Sequence, residues 1–313
     1  MIEFFINDQK SCELRSIESI EKGCWINIVS PTEDEIKFIQ EKLSILPNFL
    51  IDPLDDEEKP RIDVEDDQTL IIVDTPYLYE NGSSLKFETI PLGLLITSNH
   101  FITISSQPSN IIEKFREKKI KDFYTFKKTR FTLQILFSIA KDFLKYLRHI
   151  DKKTDDLEKS LHKSMKNKEL FKLLELEKSL VYFTTSLKSN EIVMEKLMRS
   201  KIIKMYEEDQ DLLEDVIIEN RQALEMSNIY GSILGNMMGT FASVISNNLN
   251  IVMKFLTSVT IVMAIPTMVS SFFGMNLKIP FGLESQYGFM MVFLISLLCS
   301  AIAVFILSRS KLF

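Results

Sequence analysis

Residues 255–277 read FLTSVTIVMAIPTMVSSFFGMNL and carry no charged side chain, and residues 285–308, SQYGFMMVFLISLLCSAIAVFILS, carry none either. The runs are 23 and 24 residues long, and at 1.5 Å per residue each suffices to cross a hydrocarbon core of about 30 Å as a helix. Two such runs in succession predict two membrane spans. Residues 274–288 between them are too few for a domain and are expected to form a short external loop. Arg309 and Lys311 follow the second span, as the positive-inside tendency would have it, so both termini are expected on the cytoplasmic side.

Outward from that tail the composition changes abruptly. The chain is 26% charged with a net charge of −6, yet from Lys254 onward only Lys254, Lys278, Glu284, Arg309 and Lys311 are charged. A polar body is therefore joined to an apolar tail. The acidic balance argues against nucleic acid as a partner, because neutralising phosphates needs a basic face. The locally basic stretch Arg116–Arg130 reads as a solvated helix-and-loop surface, with contact to anionic headgroups the minor alternative. Cys12, Cys24 and Cys299 form no spaced cluster, which predicts neither a disulfide nor a zinc site and fits a reducing compartment. The opening MIEFFINDQK has no secretory-signal pattern. His100, His149 and His162 are scattered, and no phosphate-binding glycine loop or nucleophile motif occurs, so an enzyme is not expected.

The order of elements suggests six segments. Residues 1–125 predict a mixed α/β domain: Cys24–Val29 alternates as a strand, Ser30-Pro31-Thr32-Glu33-Asp34-Glu35 starts a helix, and Leu70–Val73, Thr89–Thr97 and His100–Ser105 read as strands, with Glu80-Asn81-Gly82 a turn. Between Lys127 and Lys254 proline is absent and apolar residues such as Leu157, Leu161, Leu173, Leu176 and Leu180 recur at helical spacing. This predicts an antiparallel helical arm over 126–200 and one long helix over 201–273, its membrane part about 253–273. The loop 274–288, a second span at 289–308 and a tail at 309–313 complete the order. A helix from Ser200 into the membrane would be roughly 110 Å long, more than one small domain can stabilise, which implies a bundle of copies.

One face of the first span is unusual. Steps of three and four from Asn236 meet Gly239, Ser243, Ser246, Asn250, Met253, Thr257, Thr260, Ala264, Thr267, Ser271 and Gly274, all small or polar except Met253. The opposing positions hold Phe255, Ile261, Val262, Ile265, Val269, Phe272 and Phe273. A 3.5-residue period sustained this far points one face at a shared axis. Close helix packing is one reading, and Gly235-x-x-x-Gly239 fits it; a water-filled pore is the other. With no carboxylate or histidine on the stripe, such a pore would pass an ion with most of its water, as suits Mg2+.

These residues carry a resemblance. Phe273-Gly274-Met275-Asn276 at the outer end of the first of two terminal spans resembles the Gly-Met-Asn motif of the CorA family. Asn250-Ile251-Val252-Met253-Lys254-Phe255-Leu256-Thr257 is similar to that family's entry into the membrane, and Trp25-Ile26-Asn27 with Pro31-Thr32-Glu33 to an opening of its cytosolic domain. The resemblance implies an α+β cytosolic domain, a long helical stalk and two C-terminal transmembrane helices, assembled as a homopentameric funnel in the cell membrane. It implies Mg2+ uptake, with Mg2+ as both cargo and regulator and no organic cofactor. Gly274, Met275 and Asn276 would form the selectivity filter, the Asn276 amide oxygens meeting the hydrated ion. Asn250, Met253, Leu256, Thr257, Thr260, Ala264, Thr267 and Ser271 would line the pore, with Leu256 at the hydrophobic gate.

The resemblance also bears on regulation. Glu207, Glu208, Asp209, Asp211, Glu214, Asp215 and Glu219 follow one another without a basic residue, and this reads either as a solvated acidic face or as a divalent-ion sensor. Counted back from Asn250, Asp215 falls on a position resembling the family's intersubunit Mg2+ site. Its partner would come from Asp52, Asp55, Asp56, Asp63, Glu65, Asp66 or Asp67 of a neighbouring copy. Lys278 departs from the acidic loops common in the family, and the C-terminal tail is sparsely basic. Transport of Zn2+, Mn2+, Co2+ or Ni2+, and a membrane-anchored coiled-coil scaffold without transport, are the competing readings.

Overall fold

The computed structural model describes residues 1–7, 13–81, 84–164, 167–200, 202–275 and 287–310. Contacts divide the chain into two units, Met1–Asn236 and Met237–Phe313, with the division falling inside one helix.

The first unit is built on a seven-stranded mixed sheet in the order β2-β1-β3-β7-β6-β5-β4. The strands are β1 (Ile2–Asn7), β2 (Leu14–Ile17), β3 (Trp25–Val29), β4 (Arg61–Glu65), β5 (Gln68–Asn81), β6 (Ser84–Ile96) and β7 (Phe101–Ser105). β3 and β7 are parallel, with Trp25 beside Phe101, and every other pairing is antiparallel. That places β3 and β7 in the middle of the sheet, covered on both sides, which accounts for their almost unbroken burial.

Alternation along β3 splits the core. Ile26 and Ile28 join Leu70, Ile72, Leu95, Ile102 and Ile104 under α1 (Glu33–Leu43) and α2 (Pro47–Ile51), which contribute Ile39, Phe49 and Leu50. Trp25 points to the other face, where its ring meets Phe5, Phe123 and Phe131 at 4.9, 6.0 and 5.2 Å between centroids. Its indole N–H donates to Thr103 Oγ1 at 2.9 Å, so the buried polar edge is satisfied. The helix start expected after Ser30 is present as a capping box: Thr32 Oγ1 accepts from Glu35 N–H while Glu35 accepts from Thr32 N–H. That backbone bond and the N-terminal ammonium hold the Glu35 carboxyl below its ordinary range.

α3 (Asn110–Arg116) leads to two long helices, α4 (Lys128–Ser164) and α5 (Asn167–Arg199), which pack on each other, with α5 also lying along β4, β5 and β6. Asn190 of α5 clamps the strand backbone, accepting from Asp74 N–H at 2.9 Å and donating to Asp74 C=O at 2.8 Å. α6 (Glu207–Phe273) is 67 residues long. Its first part buries Leu213, Val216, Ile217, Asn220, Ala223 and Ser227 at three- and four-residue steps. Asn220 donates to Leu187 C=O of α5 at 2.9 Å, and Arg221 pairs with Glu191 and Glu195.

The second unit holds the rest of α6 and α7 (Gly288–Arg309). Both helices are long and apolar enough to cross a membrane.

Candidate functional site

In the second unit the pattern of cover along α6 is regular. Ser258, Val262, Ile265, Val269 and Phe273 are buried or half-buried, spaced at three and four residues, so they form one face. On α7 the covered positions are Gly288, Val292, Ile295, Ser296, Cys299, Ser300, Ala303 and Leu307, again a single stripe rich in small residues. Pro266, Ser270, Val292, Phe293, Ser296 and Ser300 line a cavity of about 270 Å³ between the two helices.

Asn250, Met253, Thr257, Thr260, Ala264, Thr267, Ser271 and Gly274 are all exposed. At 3.6 residues per turn they lie across the helix from the face that packs on α7. A neighbouring open groove of about 520 Å³ is lined by Ala264, Thr267, Ser271 and Met275 together with Met268 and Phe272. The chain itself thus covers one side of α6 and leaves the polar side uncovered. In hydrocarbon the hydroxyls and amide of that side need water or another protein surface. Thr260 Oγ1 bonds Leu256 C=O at 2.8 Å, using up its donor and leaving an acceptor free. Leu256 is also exposed, one step off the stripe. Pro266 lies inside the helix and cannot donate to the Val262 carbonyl.

Gly274 ends the helix, with its N–H on Ser270 C=O at 2.9 Å, and a Cβ there would lie 3.2 Å from that oxygen. Met275 is exposed beside it. Asn276, Lys278 and Glu284 lie outside the described residues.

The acidic segment at the start of α6 is divided by the fold. Asp209 turns inward: its side chain is only 7% exposed, lies 3.8 Å from Arg130 of α4, and accepts from Tyr206 N–H at 3.2 Å. Glu208 is 3.5 Å from the same guanidinium. Asp211, Glu214 and Asp215 are exposed. Among the candidate partners, Asp52 and Asp63 share Arg61 at 2.6 Å each, with Glu58 as its third carboxylate. Asp56 accepts from Ser106 Oγ at 2.7 Å. Asp55, Glu65, Asp66 and Asp67 are exposed. No single-chain cluster of three or more potential metal ligands occurs among the described residues. Sequence reading left Arg61 unremarked, although Glu58 and Asp63 are its near neighbours in the chain, and it placed Arg130 in a solvated basic surface.

A sheet-and-helix unit followed by a very long helix, which like α7 is apolar enough to cross a membrane, has the layout of a two-span membrane protein. The chain belongs to the family of CorA-like Mg2+ transporter proteins, whose profile matches residues 21–309. It is 29% identical over 296 residues to the cobalt/magnesium transport protein CorA of Methanocaldococcus jannaschii, covering 91% of this chain and 90% of that one. The complete structure of the CorA magnesium transporter from that organism superposes with a TM-score of 0.85 at 25% identity, covering 100% of this chain and 99% of the other. The structure of the soluble domain from the same source gives 0.68 at 26% identity, over 76% of this chain and 95% of its own.

Proposed function

We propose that this chain assembles, as a homopentamer, into a channel in the cell membrane that admits Mg2+ passively, driven by the membrane potential. The observation that carries this reading is the uncovered stripe from Asn250 to Gly274, set across α6 from the face that packs on α7. Several copies around an axis would join their stripes into a wet pore and leave α7 toward lipid. Both termini then lie in the cytoplasm. A divalent ion gains about 4.6 kcal/mol per 100 mV on entry, so no energy-coupling residue is needed.

Gly274, Met275 and Asn276 form the mouth on this reading. The Asn276 amide accepts from the ion's water shell without the full charge that would retain a divalent cation. Uptake into proteoliposomes tests it: wild type should accumulate Mg2+, with block by cobalt hexammine, and Asn276→Ala should not. Equal uptake by both would overturn the filter assignment and leave the scaffold reading standing. Since relatives are named as cobalt/magnesium and magnesium transport proteins, Co2+ is the second cargo to test, with Ni2+, Zn2+ and Mn2+ as competitors. The stripe's lack of histidine, cysteine or carboxylate disfavours a site that strips a transition metal of water.

Mg2+ also regulates on this reading. Asp215 is exposed on the first unit and no ion pair holds it among the described residues, so it is available to a divalent ion shared with a neighbouring copy. High internal Mg2+ would bridge copies and close the pore, and depletion would let the acidic faces repel. Asp215→Ala should then raise the internal Mg2+ needed for inhibition; unchanged inhibition would remove Asp215 from the sensor.

A further inference from the structure

We propose that Arg130 is a positioning residue for the acidic face of α6, fixing the rotation of its first turns so that Asp211 and Asp215 stay outward. The inference rests on the regulatory reading above and adds to it the element that aims the sensor.

Three contacts tie the first turn of α4 to the start of α6. Arg130 reaches Asp209 at 3.8 Å and Glu208 at 3.5 Å, and Thr129 Oγ1 donates to Lys204 C=O at 3.0 Å, in the segment just before α6. Asp209 also caps the helix by accepting from Tyr206 N–H. Of the seven acids between Glu207 and Glu219, Asp209 is the buried one. It lies on the same face as the buried Leu213, Val216 and Asn220, so its contact with Arg130 carries the rotation set by those residues through to the first turn. Asp215 is six residues further on and therefore projects from a different side, into solvent. Burying a carboxylate inward is unfavourable unless a cation meets it. Arg130 is that cation, and at 30% exposure its charge is only partly screened by water. Without it, the stable response is for Asp209 to turn outward, rotating or fraying the first turns and misaligning Asp211 and Asp215.

Full-length protein in proteoliposomes provides the test, with Mg2+ entry recorded against the Mg2+ concentration on the side of the N-terminal unit. Arg130→Gln should raise the half-inhibitory concentration about tenfold, within the usual range of coupling between sites, while entry in the absence of regulatory Mg2+ stays at the wild-type rate. Arg130→Lys should restore inhibition to within about twofold, because the charge returns. Asp209→Asn removes the buried charge itself, so it should shift inhibition less than Arg130→Gln does, and the double variant should return most of the wild-type sensitivity, since no unpaired carboxylate remains inward. Additive shifts would instead mean two independent structural losses and would overturn the proposal. So would wild-type inhibition in Arg130→Gln when Asp215→Ala shifts it. If Asp215→Ala also kept wild-type inhibition, the sensor reading itself would fall.

Discussion

Pro53 occupies the space that a side chain at Gly93 would need: a Cβ on Gly93 would lie 2.5 Å from the proline Cγ and 2.7 Å from its Cβ. Gly93 is in β6 opposite Ile72, and Pro53 belongs to the turn Asp52–Leu54 that follows α2. The contact seats that turn on the sheet and with it Asp52, whose carboxylate reaches Arg61. Gly93→Ala should therefore push the turn off the strand at a cost of about 1–3 kcal/mol, as overpacking does. Trp25 is the chain's single tryptophan and is fully buried, so its fluorescence reports unfolding of the first unit directly. A variant that unfolds at the wild-type midpoint would show that the turn can yield freely.

Asp74 gives a pH dependence with a definite sign. Burial between β5 and α5 pushes its carboxyl up to about 6, against a smaller opposing effect of the Ser186 hydroxyl. The folded state therefore holds a proton that the unfolded chain, near 3.9, has released. Stability from this group is fully present below about pH 4 and is lost as pH rises to about 6; the loss is about 2–3 kcal/mol. Asp74→Asn should keep the Asn190 clamp, which uses only backbone groups of residue 74. The variant should be more stable than wild type at pH 7.5 and nearly equal near pH 4. Parallel stability curves from pH 4 to 8 would contradict this.

How far the sequence reached is visible at particular residues. The strand read at Cys24–Val29, present from Trp25, the helix start at Thr32 and the strands within β5, β6 and β7 were legible because their patterns are local: alternation, a cap, a β-rich run; the turn read from Glu80 is corrected, since β5 continues through Asn81. β1, β2 and β4 were not. Ile2–Asn7 reads as an apolar terminus until β3 pairs with it, and Arg61–Glu65 is polar enough to pass for a loop. The stripe on α6 was legible from spacing alone, but which side of the helix the chain covers depended on α7. The inward turn of Asp209 was illegible, because its cause, Arg130, is distant in sequence and looked like part of a basic surface. Arg116 is likewise committed, pairing with Glu3 and Glu113.

The stripe predicts that adjacent residues differ in kind. Thr260 lies on it, while Ile261, the next residue, lies off it and is exposed too. Thr260→Leu should fill the proposed pore with apolar bulk and reduce Mg2+ entry at least tenfold, since a hydrophobic constriction resists wetting. Ile261→Leu, an isomeric change at a position read as lipid-facing, should leave entry within about twofold, since volume is conserved. Parallel flux assays on the two variants at equal protein content compare them directly. Equal losses would mean that the stripe packs helices rather than lining a channel.

Lys278 bears on recruitment at the proposed mouth. It follows Asn276 by two residues, and with Glu284 it leaves the loop between the spans close to neutral. A ring of copies would multiply the lysine charge and repel arriving divalent cations over a Debye length of about 8–10 Å at physiological salt. Lys278→Glu reverses that field, so entry at micromolar Mg2+ should rise, while the saturated rate should change little. The effect has to shrink as monovalent salt increases, because steering by exposed charge is screened. Initial rates against Mg2+ at about 10 mM and 300 mM salt would show it. An increase that persisted undiminished at high salt would instead mean that residue 278 contacts the ion or reshapes the filter, and the local electrostatic account would be wrong.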